Sequence, residues 1–177
     1  MGIVREYAGK RPALGARVYL AESAAVIGDV VLGDDVSVWY NSVVRGDCNW
    51  IRIGDRSNIQ DNCAIHVTVG THPTTLEEEV TLGHGAIVHG ATVRRGALIG
   101  IRATVMDGAD VGESAFIGAG ALVVPRTKVP PRTLWLGAPA RQARVLSDAD
   151  VEDLKKYHRN YLGYKEEYFN VDGAWAR

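Results

Sequence analysis

Large apolar residues recur along this chain at intervals of six. Val93, Ile99, Val105, Val111, Ile117, Val123 and Val129 follow one another at that step, and four positions after each stands a small residue: Ala97, Ala103, Ala109, Ala115, Ala121, Thr127 or Thr133. With about a quarter of the chain Val, Ile or Leu, seven in register arise by chance on the order of once in 10,000. The same rhythm runs earlier through Val38 and Val44, then Ile53, Ile59 and Ile65, then Leu82 and Val88, with Cys48 and Cys63 at the small-residue places. An amphipathic helix needs apolar residues three and four apart, and a half-buried strand needs alternation over its whole length. Neither fits. A six-residue unit is a short strand plus a turn; three units close a triangular coil that stacks on the next about 4.8 Å away, with the large residue filling the prism.

Two insertions interrupt the series, one of three residues around Asn49 to Arg52 and one of five within Val67 to Val80. Steps of five at Ile27 to Leu32 and at Val88 to Val93 read as corner adjustments. After the last coil, WLGAPARQARV leads to Ser147 with Asp150 three residues on, a capping box that opens a helix. Val151, Leu154, Tyr161 and Tyr168 lie near one face of that helix and form a packing stripe, with Gly163 weakening its middle. The expected architecture is all-β with a C-terminal α-helix: a lead-in and parallel β-helix over residues 1–140, then a linker and packing helix over residues 141–177.

Composition narrows the function classes. The 177 residues suffice for one domain, and 20 Lys and Arg against 21 Asp and Glu leave no basic block to track a phosphate backbone, which argues against nucleic acid. The first residues lack the apolar core of a signal peptide and no long apolar run exists, so a soluble, cytoplasmic protein without a membrane partner is expected. Cys48 and Cys63 are too few for a disulfide framework and read as buried thiols.

The runs AAVIGDVVLGDDVSV and TVMDGADVGESAFIGAGALVVP resemble the hexapeptide-repeat proteins. That resemblance implies left-handed coils and a homotrimer. The register also orders the histidines. His66 follows Ile65 and His89 follows Val88, so both take the second place of a hexad, and their interval of 23 is one coil of 18 plus the five-residue insertion. They should stack on one outer face, close enough to converge on one metal. Arg45, after Val44, joins the column one coil earlier. His84 takes the third place on a different strand and points elsewhere; across a trimer interface it could complete a three-nitrogen site with an open position, the arrangement of a catalytic zinc. His72 and His158 have no such alignment and read as structural or solvated.

VVRGDCNWIRIGDRSNIQDNCAIH (residues 43–66) and VTLGHGAIVHG (residues 80–90) resemble the γ-class carbonic anhydrases, over nearly the whole chain. The resemblance implies His66, His84 and His89 as metal ligands shared across a subunit boundary, and Arg45 with Asp47 as an interfacial pair. It also implies Asn58, Gln60 and Asp61 as polar active-site and support residues: Gln60 to orient a hydroxide or accept its proton, Asn58 to hold the CO2 oxygens, Asp61 to bind a supporting partner. The activity implied is reversible hydration of CO2 to bicarbonate with Zn2+, Fe2+ or Co2+. Read as residues alone, Asn58 and Asp61 also suit β-helix corners, and Arg45 with Asp47 an ordinary ion pair. The chain departs from the family in its short interrupted loop VTVGTHPTTLEEEV, where Glu77, Glu78 and Glu79 are proton-shuttle candidates by position only and otherwise a solvated charge run. Arg102 stands where relatives carry a small residue. Two other classes compete: a coenzyme A-dependent acyltransferase using one histidine base, and a catalytically silent metal-binding trimer.

Overall fold

The computed structural model describes residues 2–172; residues 173–177, the end of the expected helix-bearing segment, lie outside the described residues. The fold is a left-handed parallel β-helix closed by one helix; the six-residue period predicts the coil and the resemblance its hand. Its strands are mostly two or three residues long, because each hexad spends its other residues on a corner. Three faces result. Face one carries Ala64–His66, Ile87–His89, Thr104–Val105 and Leu122–Val123; face two carries Thr74–Leu76, Thr92–Val93, Asp110–Val111 and Lys128–Val129. Ala25–Leu32 and Val43–Ile53 turn the corner and belong to both. Face three runs from Tyr19–Leu20 through Ser37–Val38, Asn58–Ile59, Thr81–Leu82, Leu98–Ile99 and Phe116–Ile117 to Thr133–Leu136.

Inside the prism the large residues stack rung on rung. Face one contributes Val26, Val44, Ile65, Val88, Val105 and Val123 in register, and face three contributes Leu20, Val38, Ile59, Leu82, Ile99 and Ile117. All are buried, each contributing roughly 1.5–3 kcal/mol of apolar burial.

The outward columns differ by face, and that difference decides what each face can do. Face two presents Arg52, Thr75, Thr92, Asp110 and Lys128 to solvent. Face three presents Ser37, Asn58, Thr81, Leu98 and Phe116, and the helix covers it. Face one presents Ala25, Val43, Ala64, Ile87, Thr104 and Leu122, an apolar column with Val43 and Ile87 exposed.

Several expectations change in detail. The three-residue insertion falls between Gly46 and Ile51, where the pairing with Ala25–Leu32 slips, rather than around Asn49 to Arg52. It lifts Cys48 out of the prism, so this thiol is exposed while Cys63 is buried. The first face-one core residue is Val26, not Ile27, so the step to Leu32 is an ordinary six. The five-residue insertion is a small loop closed by a Thr68–His72 bridge.

The segment after the last coil is also more ordered than a linker: Arg141–Val145 pairs antiparallel with Thr133–Leu136. The helix spans Asp148–Asp172 and runs through Gly163. Its cap forms as the sequence requires, with the Asp150 N–H donating to Ser147 Oγ at 3.2 Å and the Ser147 N–H to the Asp150 carboxylate at 2.8 Å. Leu154 joins Leu98 and Leu146, while Tyr161 and Tyr168 meet Trp39 edge-on at centroid distances of 5.3 and 5.1 Å. Lys165, which pattern alone would leave in solvent, is fully buried against Asp35.

Candidate metal centre

The register places His66 and His89 directly opposite each other on face one. His66 Nδ1 and His89 Nε2 face each other at 3.1 Å, and the rings are half-buried. Each ring's other nitrogen meets a carboxylate: His66 Nε2 lies 3.0 Å from Asp47 Oδ1, and His89 Nδ1 lies 2.7 Å from Asp107 Oδ1. Burial alone would raise the Asp47 carboxyl, but hydrogen bonds from His66 and Arg45 outweigh it and bring its pKa down to about 2. Burial likewise opposes, and His89 and Thr68 reverse, the shift at Asp107, which is held below the ordinary carboxylate range. Both aspartates are therefore acceptors at neutral pH, and each imidazole must direct its N–H at its aspartate. The two nitrogens that face each other are then both lone pairs. A cation or a shared proton between them satisfies that contact, and the spacing matches a metal, since neighbouring nitrogens on a tetrahedral zinc lie about 3.3 Å apart.

His84 sits on another corner, in the turn between Thr81–Leu82 and Ile87–His89. Within one chain it does not join the His66 and His89 pair. Its Nδ1 lies 2.8 Å from Asp61 Oδ2, so here too one nitrogen is held by a carboxylate and the other left over. The three imidazoles fit a divalent metal by the chemistry of their donors, and the protein supplies them from both ends of face one.

Gln60 borders the His84 turn. Its Oε1 accepts the His84 backbone N–H at 3.2 Å, its Nε2 donates to Asn58 Oδ1 at 3.3 Å, and Asn58 Nδ2 donates to Thr81 Oγ1 at 2.8 Å. Gln60 and His84 open on a cavity of ≈ 400 Å³ between face three and the helix, walled by Leu98, Ile101, Phe116, Tyr161 and Tyr164. Asn58 is buried behind Gln60 and does not reach that cavity. Burial, with Asp61 nearby, pushes the Tyr161 hydroxyl up to about 12.

Other sequence candidates fall elsewhere. Arg45 pairs with Asp47 in the same chain. Glu77 bonds Arg94 and the Arg95 N–H, and Glu79 pairs with Arg56 and Arg95, on the corner between faces two and three. His158 is a buried residue of the helix and its imidazole pKa is lowered by that burial; His72 lies against Gly108. Arg102 occupies a left-handed corner, φ 55°, where the stacked corners carry Asn62, Gly85 and Gly120, and its N–H donates to the His84 carbonyl at 2.9 Å. Asp107 was missed by sequence reasoning. It stands 18 residues after His89, one coil on, so the same addition that paired the histidines would have found it.

A scan against protein-family models matches none to this chain. The carbonic anhydrase of Geobacillus kaustophilus is 42% identical over 169 residues, which cover 96% of this chain and 92% of that protein. The mitochondrial gamma carbonic anhydrase 1 of Arabidopsis thaliana is 40% identical over 86% of this chain and 57% of its own length. Among solved structures, a Bacillus cereus protein described provisionally as an acetyltransferase superposes with a TM-score of 0.93 at 38% identity, covering 96% of this chain and 98% of that one.

Proposed function

The chain belongs to the γ-class carbonic anhydrase family, and from that premise we propose that it hydrates CO2 reversibly to bicarbonate and a proton at a metal held between copies of itself. The observation that carries this reading is that His66, His84 and His89 each have one ring nitrogen held by an aspartate of their own: Asp47, Asp61 and Asp107. Ligating imidazoles characteristically have such partners, which fix the tautomer and leave the second nitrogen as donor. Three neutral imidazoles with an open fourth position suit a catalytic zinc, and iron(II) or cobalt(II) accept the same set.

The apolar outward column of face one supports a homotrimer. It lies between the His84 corner and the His66 and His89 corner, so a neighbour packed against it brings the two sides of the ligand set together. Arg45 balances the Asp47 carboxylate there.

A metal bound at this site supplies Lewis acidity, which brings the pKa of water down toward 7. The chain's own residues arrange the rest. Asn58 and the His84 N–H lock the Gln60 amide by one bond at each end, which leaves the second Nε2 hydrogen for an oxygen of the substrate. Asn58 therefore acts as a brace for Gln60. Leu98, Ile101 and Phe116 give the cavity an apolar wall suited to CO2. Asp61 keeps His84 in its donor tautomer. Acetyl transfer needs one histidine base and leaves two of the three carboxylate-held imidazoles without a task.

The deciding experiment is stopped-flow CO2 hydration on anaerobically purified protein, with metal content measured on the same sample and zinc, cobalt and iron(II) reconstitutions in parallel. Metal-dependent hydration at one metal per chain is expected, and His84→Ala should lose that metal in every subunit. A fully metallated trimer inactive in all three forms would leave the silent binding reading in its place.

A further inference from the structure

We propose that Asp107 is the positioning residue of His89, setting the tautomer and ring angle with which this imidazole offers Nε2 to a cation. The inference rests on the metal reading above and adds a residue that neither the motifs nor the relatives' names assign.

Asp107 has no Arg or Lys partner among the described residues; its carboxylate lies 2.7 Å from His89 Nδ1. Asp29, Asp35 and Asp110 meet a guanidinium or ammonium, and the corner residues Asp34 and Asp55 accept backbone N–H groups of the adjoining coil, whereas the Asp107 carboxylate is turned to an imidazole. Two further features serve its placement. Gly90, the residue after His89, has φ +58°, and a Cβ there would collide with the Asp107 carboxylate oxygen and come within 2.8 Å of His72 Cβ. The bare glycine is what lets the carboxylate reach back one coil to the ring. Thr68 bonds the same carboxylate from the five-residue inserted loop, and its N–H donates to the His72 carbonyl at 3.0 Å. The insertion that interrupts the repeat thereby becomes a clamp on the carboxylate that aims His89, a task for the loop that needs none of its glutamates.

Zinc affinity of the full-length protein, measured by chelator competition, tests this together with the visible spectrum of the cobalt(II) form. Asp107→Ala is expected to bind zinc about 10- to 100-fold more weakly and to alter the cobalt spectrum. Asp107→Asn, which keeps an oxygen for the His89 N–H, should recover most of that loss. Gly90→Ala should weaken zinc as Asp107→Ala does, and it carries the test should Asp107→Ala fail to fold. Wild-type affinity and an unchanged cobalt spectrum in folded Asp107→Ala or Gly90→Ala would overturn the proposal while leaving the metal site standing. Wild-type protein that takes up no zinc at all would sink both.

Discussion

Gln60 is the side chain on which the proposed chemistry turns, because it is buried, its amide is held at both ends, and it still borders the cavity beside His84. Its hydrogen bonds go to Asn58 and the His84 backbone rather than to an imidazole ring, so Gln60→Ala should keep full metal content while hydration falls about 100-fold, the scale of losing one aligned donor. Metal analysis and stopped-flow rates on the same preparation check this; an unchanged rate would remove Gln60 from the mechanism. Much at this scale was legible in the sequence. The His66 and His89 pairing follows from adding 18 and the five-residue insertion, and the structure returns that register. Asp61 beneath His84 and Asp107 above His89 obey the same arithmetic, and what hid Asp107 is that one Asp among many corner residues carries no signal until a histidine is placed beside it. Cys48 was misread for a physical reason. A hexad position predicts burial only while the backbone stays on the prism, and the chain leaves it between Gly46 and Ile51.

The helix shows what periodicity can and cannot deliver about an element. Its cap and its Leu154, Tyr161 and Tyr168 stripe follow from spacing. Lys165 does not, since lysine in a charged run reads as solvated, yet its ammonium is buried where it bonds Asp35 and the Arg17 carbonyl and pins the helix to the first coils. Burial alone would raise the Asp35 carboxyl; Lys165 and Arg17 outweigh that and lower it. The sign follows. A carboxyl lowered by folding stabilises in full above the unfolded value, about 3.9, and that contribution is lost as the pH falls through the lower folded value. Lys165→Met leaves Asp35 its Arg17 partner at 3.0 Å, so the cost at pH 7 should be that of the two charged hydrogen bonds to Asp35 and the Arg17 carbonyl, about 1.5–3 kcal/mol each, rather than of an orphaned charge. The gap to wild type should narrow once the pH falls below the lowered folded value of Asp35, where that carboxyl takes up a proton and the buried ammonium of the wild type loses its Asp35 partner. Denaturant unfolding followed by tryptophan fluorescence reads both values, and a gap equal at the two pH values would show that Asp35 is not what Lys165 holds. Within the prism, Ile59→Ala opens a cavity between Val38 and Leu82 and should cost about 2–5 kcal/mol, read from the same denaturation midpoint.

For the whole molecule, the three faces divide the work: polar residues solvate face two, the helix closes face three, and face one is left apolar with histidines at both of its ends. In the proposed trimer, a ligand set split in this way makes metal binding and assembly one equilibrium. Anything that binds the assembled form and not the separated chains stabilises it by RT ln(1 + [L]/Kd), about 2.7 kcal/mol when free metal stands at 100 times its Kd. Zinc should therefore raise the melting temperature, and chelation should make the trimer dissociate on dilution at protein concentrations where the metallated form stays intact. Sedimentation across a dilution series, with and without chelator, measures the effect. His84→Ala separates its two possible origins. If the metal bridges chains, removing this one imidazole abolishes the zinc-dependent shift in dissociation although His66 and His89 still face each other in every chain. If the shift persists in the variant, the metal is held within single chains and the apolar face alone drives assembly.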